Sequence, residues 1–425
     1  MVVERLETYL NLKYKPENTD LICVYSIEPA KGVTLETVAR KVASEAGLGT
    51  WTELKNIDET TFKKFSPKIF EISKKNNIVK IAFPENLFEA RNIPQVLSSI
   101  AGNIFSMREI KTIKLLDIEF PDSFVKHYYG PHYGVPGIRR LMRIPHRPLL
   151  SCVIKPKVGL TIKEYAKLAE EAWRGGADLV GDDENLTSLE GNDFDERIRA
   201  VLDVKRRVER ETGEVKEYLP NITGSYNQMV SRAKMVISHG GRFVLVDAFT
   251  IGWSGLQALR ELDLNIVIHA HKAGHGVFTK ANNHGISMLV VSKICRLIGV
   301  DELQVGGIGN KETTEIMLLG EKIEDTLISE KIFKHKLQED WMGLAPVMAV
   351  CSGAIHPQSV SPLIHSMGRD IVIQAGGGIH GHPSGTFAGA KAMRDAIEAE
   401  MNGIDVKEAA KNSKELSEAI KKWSK

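Results

Sequence analysis

The feature that most constrains the fold is an alternation of a short apolar stretch with a longer amphipathic one, which repeats eight times between residue 149 and residue 425. Each apolar stretch ends in polar or glycine residues, as in DLVGDDEN (178–185), IVIHAH (266–271) and IVIQAGGG (371–378). A strand followed by a helix, repeated eight times, is typical of a (β/α)8 barrel. We therefore predict an α/β protein whose residues 149–425 form a TIM barrel with C-terminal helices.

The residues before the barrel follow a different pattern. They predict three strands and two helices, which are strands at 21–26, 78–83 and 113–120 and helices at 34–46 and 93–105. This order indicates an α+β domain of ferredoxin-like type with a mostly antiparallel sheet. We place it at residues 1–127, and we take the Gly- and Pro-rich residues 128–148 as a connecting segment.

Composition limits the partners and the compartment. Lys plus Arg number 56 and Asp plus Glu number 54, and this balance favours neither nucleic acid nor an anionic membrane as a partner. No apolar run reaches the roughly 18 residues that span a bilayer, and MVVERLETYL lacks the apolar core of a signal peptide. The four cysteines are far apart and form no CxxC pair, so neither a disulfide framework nor a zinc site is indicated. We expect a cytoplasmic protein.

Two lysines stand at the end of the first barrel strand, where a TIM barrel places its active site. Lys155 and Lys157 flank Pro156, and residues two apart in a strand share a face. Two neighbouring ammonium groups lower each other's pKa and favour a neutral amine that can transfer protons. The alternative is a pair of solvated surface lysines.

Acidic residues and histidines end two further strands. Asp182, Asp183 and Glu184 suit Mg²⁺, which is held by carboxylates together with water and substrate oxygens, although such acids also cap helices. A second group, His269, His271 and His275, suits proton transfer or phosphate contact, with satisfied core histidines as the alternative.

Glycines end two other strands. Backbone N–H groups at Gly376, Gly377 and Gly378 can cradle a phosphate, because glycine lets the anion approach closely. Gly306 and Gly307 precede Lys311, and a lysine on a glycine-rich loop can cover an anionic ligand. The alternative in both places is an ordinary tight turn.

Seven motifs in order carry a resemblance to a known family, namely EAGLGTW (45–51), IAGNIF (100–105), IKPKVGL (154–160), GGADLVGDDEN (175–185), IHAHKAGHG (268–276), CSGAIHP (351–357) and IQAGGGIHGHP (373–383). The chain resembles the large chain of ribulose-1,5-bisphosphate carboxylase/oxygenase (RuBisCO) along nearly its whole length. The archaeal form III chains and the RuBisCO-like proteins of type IV are the members it resembles most.

The resemblance implies catalytic roles. Lys155 matches the lysine that shuttles protons and Lys157 its partner, while Asp183 and Glu184 match the side-chain ligands of Mg²⁺. His271 matches a histidine of substrate contact and proton transfer. Lys311 matches the mobile-loop lysine that covers the substrate.

The resemblance also implies contacts to a phosphorylated substrate, from Glu45, Thr50, Trp51, Asn103, Lys272, His275, Gln304, Ser352, Gly376 and Gly377. In the family the residues of the N-terminal domain come from the neighbouring subunit. We therefore expect a homodimer or an assembly of dimers.

Four positions depart from the family pattern. Gly181 replaces the lysine whose carbamate is the third Mg²⁺ ligand and the base that starts enolisation, so the Mg²⁺ site is expected to be weakened. Lys272 replaces an arginine, and a point charge replaces a bidentate fork. Gln304 replaces a histidine at the same phosphate site, and Ala354 replaces a glycine near the other.

These departures lead to three functional hypotheses. The first is a RuBisCO-like protein that does not fix CO₂ and acts as an enolase or isomerase, abstracting a proton next to the carbonyl of a phosphorylated sugar-like ketone. The second is an archaeal form III ribulose-1,5-bisphosphate carboxylase. The third is a barrel that binds a phosphorylated metabolite without catalysis. From the sequence, the loss of the lysine at Gly181 favours the first.

Overall fold

The computed structural model describes residues 6–50, 54, 56–306, 337 and 340–424. By their internal contacts these residues divide into two compact units. The N-terminal unit contains the described residues up to 129 together with 274–298, 337 and 340–344. The barrel unit contains residues 130–273, 299–306 and 345–424.

The N-terminal unit is built on a sheet of four longer strands, which are β1 (Asp20–Pro29), β2 (Lys68–Ser73), β3 (Ile78–Pro84) and β4 (Ile110–Glu119). The pairs β1–β3, β1–β4 and β2–β3 are antiparallel, and the two-residue strand Gly285–Ile286 adds to β4 in parallel. The helices of this unit are Leu35–Ala46, Glu59–Phe65, Ile93–Ile100, Asp122–Val125, Gly276–Thr279 and Met288–Ile298, with 3-10 turns at Glu85–Leu87 and Asn103–Ser106. The predicted α+β architecture is confirmed.

Some details of this unit differ from the prediction, and the helix Glu59–Phe65 was not predicted. Strand β2 was not predicted; its burial follows no regular alternation, and its register with β3 shifts between Ile69 and Glu71. The helix predicted at 93–105 ends at Ile100. A Cβ atom at Gly102 would lie 2.0 Å from the carbonyl oxygen of Ser98, so the chain here takes a path that only glycine permits.

The eight predicted barrel strands are all present, as β5 (Leu149–Val153), β6 (Leu179–Gly181), β7 (Glu217–Leu219), β8 (Phe243–Asp247), β9 (Val267–His271), β10 (Glu302–Gly306), β11 (Met348–Ser352) and β12 (Ile371–Ala375). They pair in parallel in the order β7-β6-β5-β12-β11-β10-β9-β8. An isolated parallel bridge between Asn221 and Leu245 spans the gap between β7 and β8. The predicted barrel is therefore confirmed as a nearly closed ring.

The helix Gly134–Met142 precedes β5. The other helices of the barrel unit follow its strands, at Ile162–Arg174, Phe194–Thr212, Tyr226–Ser238, Ala248–Glu261, Val360–Met367, Gly377–His380, Thr386–Met401, Val406–Ala409 and Lys414–Trp423, with a 3-10 turn at Pro357–Ser359. A capping box between Thr161 and Glu164 starts the helix that follows β5. Within the described part of the chain, no helix is both long and apolar enough to cross a membrane.

The interior of the barrel changes from apolar to polar along the strands. The strand residues nearest the amino end, among them Leu149 and Val267, form one apolar cluster with the helix Gly134–Met142, which lies in the predicted connecting segment. Two residues further along, Ser151 and His269 are buried and polar. Since side chains two residues apart in a strand share a face, these two strands carry inward-facing polar residues beyond the apolar cluster, towards the carboxyl end of the barrel.

Candidate active site

The carboxylates Asp183 and Glu184 follow β6 directly. The Asn221 amide donates hydrogen bonds of 3.2 Å to the carbonyl oxygens of both residues. The Glu184 N–H donates to Asp183 Oδ1 at 3.0 Å. Asp183 is 5% exposed, and Glu184 is partly exposed. The turn is therefore held rigidly, with both carboxylates at the carboxyl end of the barrel.

The two predicted lysines meet these carboxylates. Strand β5 ends at Val153, so Lys155 and Lys157 lie in the loop beyond it. Lys155 forms an ion pair with Asp183, and Lys157 forms one with Glu184 and lies 3.7 Å from Asp183 Oδ1. Burial, and next the Lys157 ammonium, lower the pKa of the Lys155 amine to about 8. Such an amine is suited to proton transfer near neutral pH.

His271, the last residue of β9, completes this cluster. Its Nε2 lies 3.9 Å from Glu184 Oε2, and its Nδ1 lies 3.3 Å from Asp247 Oδ1. The Ala273 N–H donates to the same Nδ1 at 3.1 Å. Sequence reasoning missed Asp247, although it ends β8 in the same way that the predicted residues end their strands.

One ligand atom from each of Asp183, Glu184 and His271 lies within 4.8 Å of the others, as expected of residues that share a metal ion. Carboxylate oxygens suit Mg²⁺, and an imidazole nitrogen suits the transition metals as well. The donor set therefore fits a divalent cation.

The third acid of the run has a structural role. Asp182 Oδ1 accepts hydrogen bonds from the Tyr165 and Tyr218 hydroxyls, at 2.6 Å each. Its Oδ2 accepts from the Arg197 guanidinium at 3.1 Å and from the Asn221 N–H at 2.8 Å. Burial, and next the Asp182 charge, raise the pKa of both tyrosines far above the ordinary value. Asp182 thus anchors the turn that presents Asp183 and Glu184.

The glycines after β12 border the same cluster. A Cβ atom at Gly376 would lie 2.9 Å from Lys155 Cε, whereas one at Gly377 would meet nothing within 4 Å. Nearby, His380 Nε2 lies 3.3 Å from Cys152 Sγ. Burial, and next the Lys155 charge, lower the pKa of His380 to about 4, so this imidazole is neutral at neutral pH. Gly376 gives Lys155 its space, and Gly377 leaves open backbone beside it.

Gln304 is tied into the barrel interior. Its Nε2 donates to Gln374 Oε1 at 2.6 Å, and its Oε1 accepts from the Lys272 N–H at 3.3 Å. The Gln374 amide in turn donates to Ser151 Oγ at 3.4 Å. Lys272 follows β9 and Ser352 ends β11, the two strands on either side of β10, and both residues are partly exposed.

Four predicted residues belong to the N-terminal unit. Glu45 lies on the helix Leu35–Ala46, and Asn103 is exposed at the start of the 3-10 turn Asn103–Ser106. Thr50 is partly exposed, and the ring of His275 is hydrogen-bonded to Thr279 Oγ1 at 2.8 Å. Two further predicted residues, Trp51 and Lys311, lie outside the described residues.

Gly181 ends β6 with space around it. A Cβ atom there would meet Leu219 Cβ at 3.4 Å, an ordinary contact, and the backbone does not have the positive φ that requires glycine. The Cβ atom of a lysine would therefore fit at this position. Nothing in the structure explains the glycine.

Curated relatives match this chain along nearly its whole length. The protein named ribulose bisphosphate carboxylase of Methanocaldococcus jannaschii is 44% identical over 430 residues, covering 98% of this chain and 99% of the relative. The protein of the same name from Pyrococcus abyssi is 44% identical over 427 residues, covering 100% and 98%.

Solved structures of two archaeal RuBisCO proteins are also similar to this chain along nearly its whole length. The octameric RuBisCO of Pyrococcus horikoshii, in complex with a sulfate ion, has a TM-score of 0.90 at 43% identity and covers 98% of this chain and 96% of its own. The dimeric archaeal RuBisCO of Hyperthermus butylicus has a TM-score of 0.92 at 38% identity and covers 99% of both.

These relatives correct the first functional hypothesis. An enolase or isomerase that does not fix CO₂ is contradicted, because relatives as similar as 44% carry the name of the carboxylase. The hypothesis gave one missing side chain, at Gly181, more weight than the remaining site. The remaining site is still assembled, with contacts among Lys155, Asp183, Glu184 and His271.

The two parts of the chain also match family models in chain order. Residues 8–124 match "Ribulose bisphosphate carboxylase large chain, N-terminal domain", and residues 134–423 match "Ribulose bisphosphate carboxylase large chain, catalytic domain". The chain is therefore an enzyme that belongs to the RuBisCO large-chain family.

Proposed function

We propose that this chain is a ribulose-1,5-bisphosphate carboxylase, which adds CO₂ to the bisphosphorylated sugar and forms phosphoglycerate. The observation that carries the proposal is the near full-length identity of about 44% with archaeal proteins named for this activity. The cluster of Lys155, Asp183, Glu184 and His271 supports it, because proton removal next to a ketone needs a base and a means of stabilising negative oxygen.

Lys155 is the residue we assign to proton transfer. Its lowered pKa gives a substantial neutral fraction near neutral pH, and Lys157 beside it supports that state. His271 is the second candidate for the base that removes the first proton. With no side chain at Gly181, one of these two groups does the work that the family assigns to the carbamate.

Asp183 and Glu184 are the residues we assign to Mg²⁺. Bound there, the cation would supply positive charge beside the substrate oxygens that become negative as the proton leaves. Lys155 and Lys157 neutralise these carboxylates in the structure, so they compete with a cation for the same oxygens.

The substrate's two phosphates are assigned to different strand ends. The open backbone at Gly377, next to Gly376 and Lys155, suits one phosphate. Lys272, Ser352 and Gln304 border the place for the other, where Gln304 is already bonded to Gln374. We expect Lys311 to cover the bound sugar and His275 to contribute from behind His271.

We propose a homodimer, or an assembly of dimers, as the working unit. Glu45, Thr50, Trp51 and Asn103 would then complete the site of the partner subunit, as the family resemblance implies. The dimeric and octameric assemblies named for two structural relatives support this proposal.

The test is carboxylation by the purified protein. Ribulose-1,5-bisphosphate, a divalent cation and ¹⁴C-labelled CO₂ should yield labelled phosphoglycerate, and the product should disappear in Lys155→Met. The Gly181→Lys variant should be faster, since the added amine can take up CO₂. If the unmodified chain forms no labelled product with Mg²⁺ or with Mn²⁺, the proposal fails.

A further inference from the structure

We infer that His271 is a metal ligand in this chain and that Asp183, Glu184 and His271 form a three-ligand site that binds a divalent cation without CO₂. The inference rests on the proposed function only for the catalytic role of the cation, and the binding of the cation is independent of it. Its basis is the convergence of the three side chains, because one donor atom of each residue lies within 4.8 Å of the other two.

A buried carboxylate supports the imidazole from behind. Asp247 is 4% exposed, and its Oδ1 accepts no hydrogen bond among the described residues, yet it lies 3.3 Å from Nδ1 of His271. Histidines that bind metals commonly donate their second ring N–H to a carboxylate, which orients the ring and strengthens the ligand. Asp247 is therefore a positioning residue for His271.

The imidazole has two arrangements available. In the structure the Ala273 N–H donates to Nδ1 at 3.1 Å, which places the ring proton on Nε2, towards Glu184. Asp183, Glu184 and Nε2 of His271 would hold the cation with the single ring proton on Nδ1 instead of Nε2, and Nδ1–H could then donate to Asp247 Oδ1. In that arrangement the otherwise unsatisfied carboxylate oxygen would gain a partner, in exchange for the Ala273 N–H contact to Nδ1.

The identity of the donors sets the preference for the metal. Two carboxylates and an imidazole suit Mn²⁺ and the later divalent transition metals, whereas Mg²⁺ prefers oxygen ligands alone. Gly181 offers no group that could add an oxygen ligand by taking up CO₂. The chain should therefore bind Mn²⁺ more tightly than Mg²⁺, and it should do so equally well in CO₂-free buffer and with added bicarbonate.

The experiment measures Mn²⁺ binding to the full chain by electron paramagnetic resonance, without sugar bisphosphate. We expect one tightly bound Mn²⁺ per chain and a ¹⁴N coupling in the spin-echo spectrum, which changes to a ¹⁵N coupling in protein labelled with ¹⁵N-histidine. His271→Ala should weaken Mn²⁺ binding at least about 10-fold and abolish the coupling. Asp247→Asn should weaken binding about 10-fold, with the melting temperature of the metal-free protein unchanged.

Two matched variants serve as controls. His365→Ala removes an exposed histidine elsewhere in the barrel unit and should leave affinity and coupling unchanged. Gly181→Lys restores the family's lysine and should make Mn²⁺ affinity rise when bicarbonate is added.

Lys157→Met should tighten Mn²⁺ binding several-fold, because it removes a cation that competes for Glu184.

Some outcomes would overturn the inference. They are bound Mn²⁺ without nitrogen coupling in the unmodified protein, affinity that depends on bicarbonate, or undiminished binding in folded His271→Ala. If that variant does not fold, the ¹⁵N-histidine spectrum of the unmodified protein decides. Nitrogen-coordinated Mn²⁺ in a protein without carboxylase activity would count against the proposed function alone, and an active carboxylase without nitrogen coupling would count against this inference alone.

Discussion

Both ends of the barrel carry carboxylates of low exposure, but the carboxylates at the two ends are neutralised by different partners. At the amino end, Asp178 accepts hydrogen bonds of 2.7 Å from both terminal nitrogens of Arg147 and one of 2.8 Å from the Leu150 N–H. At the carboxyl end, Asp183 and Glu184 are neutralised by Lys155 and Lys157, whose side chains are 30% and 45% exposed.

This difference separates stability from chemistry. A bidentate arginine pair with low exposure is rigid and leaves no oxygen available to a ligand. Lysine is a point charge on a flexible chain, so it can leave a carboxylate when a cation or substrate arrives. In TIM barrels the amino end contributes stability and the carboxyl end catalysis, and the Arg147–Asp178 pair and the two lysine pairs compared here follow that division.

The largest effect is expected at the carboxyl end. Asp183→Asn should lower carboxylase activity about 1,000-fold, because a bound cation contributes several kcal/mol of charge stabilisation and each 1.4 kcal/mol or so is tenfold in rate. Its melting temperature should change little, because Lys155 can reach water. Labelled-CO₂ assays and thermal unfolding check both. If Asp183→Asn has a much lower melting temperature and normal activity, the carboxyl end of the barrel is structural instead.

The matching change at the amino end should act on stability instead. Asp178→Asn leaves the buried Arg147 charge without its partner and should lower the free energy of unfolding by about 3 kcal/mol. The shift in the urea midpoint measures this loss. Activity per folded molecule should stay unchanged, and a selective loss of activity would break the proposed separation of the two ends.

The same pair predicts a dependence on pH. Burial alone would raise the pKa of Asp178, but Arg147, followed by Lys216 and Arg394, outweighs it, so the pKa in the folded protein lies below its ordinary value. A lowered pKa adds stability that is present above the ordinary pKa of about 4 and is lost as the pH falls through the folded value. The stability difference between the unmodified protein and Asp178→Asn should be constant above about pH 5 and shrink below pH 4. A difference that grows on acidification would contradict this.

The smallest effect is expected next to β11. Ala354 has φ of 51°, a left-handed conformation that costs a residue with a side chain about 1–2 kcal/mol. Ala354→Gly should therefore raise the free energy of unfolding by roughly 0.5–1 kcal/mol after the entropy of glycine is counted. Ala349→Gly, on the buried strand β11, is the control and should destabilise. Equal effects of the two variants would exclude relief of strain as the cause.

Several expectations needed more than the sequence pattern could supply. The run Asp182–Glu184 predicted a metal site, yet only Asp183 and Glu184 reach it, while Asp182 binds Tyr165 and Tyr218. Beyond the end of a strand the period of two no longer decides where a side chain points. The functional hypothesis failed for a related reason. How much the loss of the lysine at Gly181 matters depends on which groups surround that position, and the sequence pattern does not show them.

The sequence by itself determined the barrel and the end of it that carries the chemistry. Alternation along each strand fixes which side chains face inward, and the Lys, Asp, Glu, His and Gly motifs follow the carboxyl ends of several strands. Only the tertiary structure decided that Asp247 supports His271 and that Gln304 bonds to Gln374. Asp247 and His271 end the consecutive strands β8 and β9, whereas Gln304 and Gln374 lie on β10 and β12 with β11 between them. Hydrogen bonds act over about 3 Å, so the pairing and order of the strands must be set before either contact exists.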